Sequence, residues 1–359
     1  MLHRRVIVLV VTIVSVFALV APTAGAQATN PVPYALKTRI PVPTWAGTDS
    51  SVISVDISWI DPAFGLFVIG DRTGAAIETF DAKRYTFIKA AGQGAFVGPG
   101  PTGAAGPNGV TVVGPNEVAG GDGDSTLKVV NLDTGEIQSV DTGGMHRVDE
   151  MAYDPATDIL LAANDREGEA GNYTGNFLTV FKVHPLSILG KIPCPQCTTG
   201  IEQPLVVNGR FYVALPTTTA NPGGEIVLVN TTTMKIDQII KTSDCKPTGL
   251  APGIGGLFVA GGLGCVIDPR SGTGTPITDA GGDEIASLPG RGIYAFVIAG
   301  TQTLNLVDAG TNEVYQRIPV ALGHNLAANP ENGEIWIPDY QSKSVLVFAP
   351  VTSLGGGTK

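Results

Sequence analysis

Self-similarity along the chain is the feature that most restricts its fold. Short, almost wholly apolar runs recur at intervals of roughly forty residues, which is the spacing of propeller blades. The runs are Leu66 to Gly70, Leu160 to Ala163, Phe211 to Leu215, Leu257 to Ala260, Ile293 to Ala299 and Ile335 to Pro338. Apolar runs of this length without alternation indicate strands that are covered on both faces.

Turn signals divide each repeat into four strands. Asp61-Pro62, Asp154-Pro155 and Asn329-Pro330 stand just before an apolar run, and Asp or Asn followed by Pro starts a turn. A third strand follows each run, and a turn such as Asp133-Thr134-Gly135 leads to a fourth. Four antiparallel strands per unit is the pattern of a propeller blade, so the sequence predicts an all-β fold.

The repeats predict a seven-bladed ring that is closed by an N-terminal strand. Units start near Asp56, Asn108, Asp149, Gln203, Thr248, Asp283 and His324. The last unit has three strands, and Lys37 to Val42 matches the fourth strand of the preceding unit, Tyr315 to Val320. Pairing of the two chain ends would hide the edge strands that otherwise invite aggregation.

The first residues predict export. Arg4 and Arg5 precede an apolar run, Val6 to Val20, and either Ala24-Gly25-Ala26 or Ala26-Gln27-Ala28 forms a small-residue cleavage site. We therefore expect a signal peptide at 1–28, a single propeller domain at 29–351 and a flexible tail at 352–359, in a secreted or periplasmic protein. The alternative, a membrane anchor, needs a longer apolar run than this one, and no other stretch is a candidate span.

Four cysteines remain after the leader, and an even number in an exported protein favours disulfides. Cys194 and Cys197 have the spacing of redox and zinc sites, but no second close pair exists to complete a metal tetrahedron. Cys245 precedes an inner strand and Cys265 opens the third strand of the same blade. Of three formal pairings we prefer Cys194 with Cys197 and Cys245 with Cys265.

The formal net charge of −10 argues against nucleic acid as a partner, because phosphates require a basic surface. A monomer with a small-molecule, glycan or protein ligand is expected.

The repeat units resemble those of a known group of propellers. Val148 to Pro155 and Ala328 to Trp336 are similar to units of the exported seven-bladed propellers of the YVTN-repeat type, and more weakly to the senescence-marker and gluconolactonase-like propellers. The first likeness implies the fold over essentially the whole mature chain. Propellers with such repeats include enzymes and binding proteins, so the fold does not name the function.

One face of the ring is predicted to carry the site. Because successive strands are antiparallel, the start of each innermost strand and the link between second and third strands share a face. The candidate ligand-binding residues there are Asp56, Asn108, His146, Asp149, Glu150, Glu202, Gln203, Thr248, Asp283, Glu284, His324 and Asn325. The alternative is that these polar side chains only solvate a channel or satisfy backbone groups.

Carboxylates, amides and imidazoles together also suit a divalent cation such as Ca²⁺, with Asn108, Glu150, Glu284 and His324 as candidate ligands. The gluconolactonase-like resemblance implies a metal-assisted lactonase or esterase, in which Asn108 matches a family Asn and Glu150 or Glu284 supplies the acid. Thr248 stands where that family has its Asp, and Asp283 is a substitute.

Three functions remain open from the sequence. The leading hypothesis is a secreted propeller that binds a small polar ligand, a glycan or a partner protein at the channel face. The alternatives are the metal-dependent hydrolase and an envelope scaffold. The sequence holds neither a Gly-x-Ser-x-Gly nucleophile elbow nor a phosphate-binding P-loop.

Overall fold

The structure, a computed structural model, describes residues 31–101, 103–168, 173–321 and 323–351. Within them the chain forms seven four-stranded antiparallel sheets arranged in a ring, which confirms the predicted all-β, seven-bladed propeller. The signal peptide at 1–28 and the tail at 352–359 lie outside the described residues. No helix among the described residues is long and apolar enough to cross a membrane.

Each blade is a meander whose first strand is the innermost. The first three blades are β2 (Val55–Asp61), β3 (Leu66–Asp71), β4 (Ala76–Asp81) and β5 (Thr86–Ala91); β6 (Val110–Gly114), β7 (Glu117–Gly121), β8 (Thr126–Asn131) and β9 (Ile137–Asp141); and β10 (Val148–Asp154), β11 (Ile159–Asn164), β12 (Phe177–Lys182) and β13 (Ser187–Pro193).

The next three blades follow the same order. They are β14 (Pro204–Val207), β15 (Arg210–Leu215), β16 (Glu225–Asn230) and β17 (Lys235–Lys241); β18 (Leu250–Pro252), β19 (Phe258–Ala260), β20 (Cys265–Ile267) and β21 (Gly274–Pro276); and β22 (Ile285–Leu288), β23 (Ile293–Ile298), β24 (Thr303–Asp308) and β25 (Glu313–Pro319). The short 3-10 turns are Pro43–Trp45, Ser50–Val52, Ile254–Gly256 and Pro289–Arg291.

The seventh blade joins the two ends of the chain. It contains β26 (Ala327–Ala328), β27 (Ile335–Asp339), β28 (Ser344–Pro350) and, outermost, β1 (Tyr34–Pro41). Leu36 pairs with Phe348 and Ile40 with Val345, so the predicted closure by an N-terminal strand is confirmed.

Burial follows strand position within the blade. Every residue of β3 is buried, whereas β17 on the rim buries only Ile240. The middle strands are covered by neighbouring blades on both faces, which explains their unbroken apolar runs. At the closure, the rings of Phe67 and Trp336 lie 5.1 Å apart between centroids and join the first blade to the seventh.

Both preferred disulfides are confirmed. Cys194 is bonded to Cys197, with the Cα atoms 5.4 Å apart, and Cys245 is bonded to Cys265 at 5.8 Å. The second bond lies in the fifth blade, in which all four strands have three residues. A covalent link there compensates for a sheet with few hydrogen bonds.

Candidate functional site

The polar face centres on Arg147, which stands immediately before the inner strand β10. Its Nη2 forms an ion pair with Asp149 and lies 3.1 Å from Asp165 Oδ2, and its Nη1 lies 4.0 Å from Asp56 Oδ2. Burial alone would lower the pKa of Arg147, but the three carboxylates raise it, so the guanidinium stays charged. One cation thus joins carboxylates from the first and third blades.

A second guanidinium, Arg72, lies in the link that follows β3. It forms an ion pair with Asp56, and its Nε and Nη2 donate to Asn108 Oδ1 over 2.9 and 2.6 Å. The Asn108 amide in turn donates to the carbonyl oxygen of Ala105, 2.9 Å away. These bonds hold the Arg72 side chain, which is 16% exposed, at a fixed position beside the channel.

His324 links the last inner strand to the first. Its Nδ1 lies 3.1 Å from Asp283 Oδ2 and its Nε2 lies 3.1 Å from the carbonyl oxygen of Val55. Burial alone would lower the pKa of His324. The hydrogen bond to Asp283 and the charge of Asp56 outweigh burial and raise the pKa from 6.5 to about 9. Both ring nitrogens face acceptors, so the imidazolium is the form that this geometry favours.

Three glutamates, Glu150 in β10, Glu202 just before β14 and Glu284 just before β22, lie close enough to alter one another's pKa. Burial raises the pKa of Glu150 and of Glu284 well above the usual range. The charges of Glu284 and Glu202 raise the pKa of Glu150 further, and those of Asp283 and Glu202 raise the pKa of Glu284. Burial, with the charges of Asp283 and Asp165, also raises the pKa of Glu202 to about 7. Among the described residues, Glu150 Oε2 and Glu284 Oε1 have no hydrogen-bond partner. This acid trio therefore favours neutral carboxylic acids.

A small cavity opens above the two arginines. It has a volume of about 190 Å³, and its walls are Ser54, Arg72, Pro99, Gly100, Gly103, Ala105 and Arg147. The carboxylates that pair with the arginines are not among these lining residues, so the two guanidinium groups supply the charge of the cavity wall. We call this space the upper cavity.

The wall opposite the arginines is a loop held down by Asp122. The Asp122 carboxylate accepts hydrogen bonds from the backbone N–H of Val97 and of Gly123, and it pairs with Lys128. A Cβ atom at Gly106 would overlap Asp122 Oδ1, so glycine is required for the loop to come this close. The upper cavity is thus enclosed by a segment with its own buried anchor.

The structure gathers most of the predicted ring residues at this face. Asp56, Asn108, Asp149, Glu150, Glu202, Asp283, Glu284, His324 and Asn325 contact one another, or Arg72 and Arg147, or alter each other's pKa.

The remaining predicted residues have other surroundings. Thr248 Oγ1 donates to the carbonyl oxygens of Gly282 and Asp283, and Gln203 Oε1 accepts from the backbone N–H of Leu250, 2.6 Å away. His146 is half-buried at the edge of the face, and its backbone N–H donates to Glu167. Thr248 and Gln203 thus brace neighbouring inner strands.

The proposed metal ligands do not form a coordination set within the described part of the chain. No three His, Cys, Asp or Glu side chains there are grouped as metal ligands. The Asn108 oxygen accepts from Arg72, His324 is held between Asp283 and a carbonyl oxygen, and Glu150 and Glu284 favour the neutral form. Asn108 and His324 are therefore already engaged by protein groups, whereas Glu150 and Glu284 each keep one oxygen without a hydrogen-bond partner among the described residues.

The sequence did not predict three residues of this site, Arg72, Arg147 and Asp165, because the candidate residues were taken from the starts of inner strands. Two signals were available. Arg147 directly precedes Val148 and Asp149 at a predicted strand start, and Arg72 and Asp165 follow second strands, at links that share the same face.

Comparison with known proteins supports the fold alone. No family model and no curated protein matches the chain. Among solved structures, it is similar to a chain of Kuenenia stuttgartiensis hydrazine synthase, with a TM-score of 0.63 and 11% sequence identity over 82% of this chain and 94% of that one. At this identity the likeness concerns the propeller architecture.

Proposed function

We propose that the protein is an exported propeller of the YVTN-repeat type that binds a small polar anion in the upper cavity. The observation that carries this proposal is the pair of guanidinium groups, from Arg72 and Arg147, in the wall of one enclosed space. The disulfides are consistent with export, because such bonds persist in oxidising compartments.

The unused donors of the two arginines determine the ligand class. Among the described residues, neither Arg72 Nη1 nor Arg147 Nη1 donates a hydrogen bond. Buried carboxylates already fix the orientation of both side chains, so binding costs little additional side-chain entropy. A carboxylate is the matching ligand group, since guanidinium groups bind it through paired N–H donors.

Size narrows the ligand further. Sites for drug-sized molecules have volumes of about 300–1,000 Å³, and the upper cavity, at about 190 Å³, is smaller. It admits a small acid or the acidic end unit of a glycan. Sugar acids are therefore the first class to test, with the corresponding neutral sugars as matched controls.

The test is calorimetric titration of the purified mature protein with galacturonate and with galactose. We expect the acid to bind and Arg72→Met to weaken its binding more than tenfold, because a charge-assisted hydrogen bond contributes about 1.5–3 kcal/mol. Arg270→Met removes an exposed arginine distant from the channel and is the matched control. Equal binding of galactose, or unchanged affinity in Arg72→Met, would contradict the proposal.

The same preparation tests the hydrolase alternative. Elemental analysis and a screen of lactones and esters are run beside the titrations. Turnover that disappears in Glu150→Gln would replace the binding proposal with an enzymatic one.

A further inference from the structure

A second cavity occupies the opposite end of the channel, where the inner strands finish. It has a volume of about 400 Å³, and it is lined by residues of the inner strands of the first, fourth, fifth, sixth and seventh blades. Its wall begins at Gln203 and at Glu284 of the acid trio. It ends at the inner-strand ends, where Pro62, Pro289 and Pro330 line it. We call this space the lower cavity. Its volume lies within the range of small-molecule sites.

The wall of the lower cavity is apolar and lacks positive charge. Leu205, Leu250, Ile285 and Leu326 line it, and no lysine or arginine is among its lining residues. Its ionisable groups are Asp61, whose carboxylate accepts from the backbone N–H of Phe64, and Glu284, whose pKa burial raises. An anion entering this space would lose its hydration without gaining a cationic partner, and the aliphatic wall between the two acids favours uncharged molecules.

Trp59 gives the cavity an aromatic face. Trp59 is 36% exposed, whereas the other two tryptophans of the chain, Trp45 and Trp336, are fully buried. Trp59 lies on the innermost strand of the first blade and lines the lower cavity. A large aromatic side chain left partly open inside a concave apolar wall offers stacking area to a ring-shaped ligand.

One polar group at the deep end remains available for a ligand. Gln203 Oε1 accepts the backbone N–H of Leu250, which fixes the amide, and the Gln203 NH₂ donates to none of the other described residues. The amide is only half-buried and lines the cavity. It is therefore a positioned donor that matches a carbonyl or ether oxygen.

We propose that the lower cavity is a second binding site, which takes a small, uncharged ring compound carrying one hydrogen-bond acceptor. The ring lies against Trp59 and the aliphatic wall, and the acceptor receives a hydrogen bond from Gln203. This site does not depend on the anion proposed for the upper cavity, because the two spaces share no lining residue.

The test uses prodan, an uncharged naphthyl ketone whose emission shifts to the blue in apolar surroundings. We expect saturable binding at one site per chain, with quenching of the Trp59 emission. Methyl naphthyl ketone should compete with prodan, and naphthoate, the charged analogue of similar shape, should not.

Two variants locate the bound probe. Trp59→Ala removes the aromatic wall and should weaken prodan binding about tenfold. Leu263→Ala shortens an apolar side chain that is 53% exposed but does not line the cavity, and its affinity should be unchanged. Thermal unfolding of both variants verifies that they are folded.

Three outcomes would overturn the proposal. They are unchanged affinity in Trp59→Ala, competition by naphthoate equal to that of the ketone, and loss of prodan binding in Arg72→Met, which would place the probe in the upper cavity. Failure of galacturonate to bind would affect only the proposed function.

Discussion

The upper and lower cavities lie at opposite ends of the channel and have opposite chemistry. The upper cavity lies where strands begin, and its arginines pair with Asp56, Asp149 and Asp165. The lower cavity lies where strands end, and its wall is aliphatic with one open tryptophan. The acid trio lies at the deep end of the lower cavity, where Glu284 is part of its wall.

This difference teaches how a propeller can separate two environments along one axis. The upper end is held by ion pairs between blades, so its residues are needed for stability as well as for binding. The inner strands at the lower end are stabilised by packing within and between the blades, so side chains that face the lower cavity are available to contact a ligand. Substitutions at the two ends should therefore have unequal effects.

The largest effect is expected from Arg147→Leu. It leaves Asp149 and Asp165 buried without their cation, and breaking a buried ion pair costs about 3–5 kcal/mol. Urea unfolding of the variant should show this loss. Arg270→Leu, which removes a fully exposed arginine, is the control and should unfold like the parent protein. Equal stability of Arg147→Leu and the parent would show that the upper end is not held by this ion pair.

His324 should give stability that disappears at high pH. Its pKa is raised from 6.5 to about 9, so its contribution is complete below pH 6.5 and is lost as the pH rises through 9. His324→Gln should cost roughly 1–2 kcal/mol near pH 7, a figure reduced for partial solvent exposure. The variant should also unfold with less change between pH 6.5 and 9. A histidine NMR signal that titrates near 6.5 and is absent in the variant would contradict this assignment.

Glu202 should also lose its stabilising effect as the pH rises, because burial penalises the ionised form of its carboxyl group. Its pKa is raised from 4.5 to about 7, so its stabilising effect is complete below pH 4.5 and falls as the pH rises to 7. Glu202→Gln should therefore gain roughly 1–2 kcal/mol relative to the parent over that interval. Unfolding free energies measured at several pH values test this. Parallel pH profiles for the two proteins would show that burial does not raise the pKa of Glu202.

The smallest effect is expected at the lower end. Trp59→Phe changes a side chain that already contacts solvent, and it should alter stability by less than about 0.5 kcal/mol. Trp45→Phe is the matched substitution at a fully buried tryptophan whose Nε1 donates to Asp71, 2.9 Å away, and it should cost about 1–3 kcal/mol. Equal losses in the two variants would mean that Trp59 is a packing residue.

Much of the fold was predictable because its signals are local. Asp-Pro or Asn-Pro turns mark three of the units, short apolar runs recur in six, and Lys37 to Val42 resembles Tyr315 to Val320 closely enough to reveal the closing strand. The disulfide of Cys245 with Cys265 followed from strand positions within one blade. Each of these inferences requires only neighbouring residues or one comparison between units.

The chemistry of the channel was less predictable because it depends on distances between blades. The starts of inner strands located Asp56 and Asp149, but their shared proximity to Arg147 exists only once the ring is closed. Burial raises the pKa of Glu150 and of Glu284, and the sequence does not reveal this because their burial depends on the closed ring. The sequence places Trp59 on a strand, but its position in the wall of the lower cavity depends on the inner strands of four other blades.

Closure by β1 also means that the chain could begin at a different blade and still form the same ring. The backbone N–H of Val351 donates to the carbonyl oxygen of Pro33, 2.7 Å away, so the beginning of the wheel adjoins its end. A short peptide can bridge these positions, and new termini can be opened between Gly143 and Gly144, in the link between β9 and β10. The same ring would then form from a circularly permuted chain whose seventh sheet is continuous in sequence.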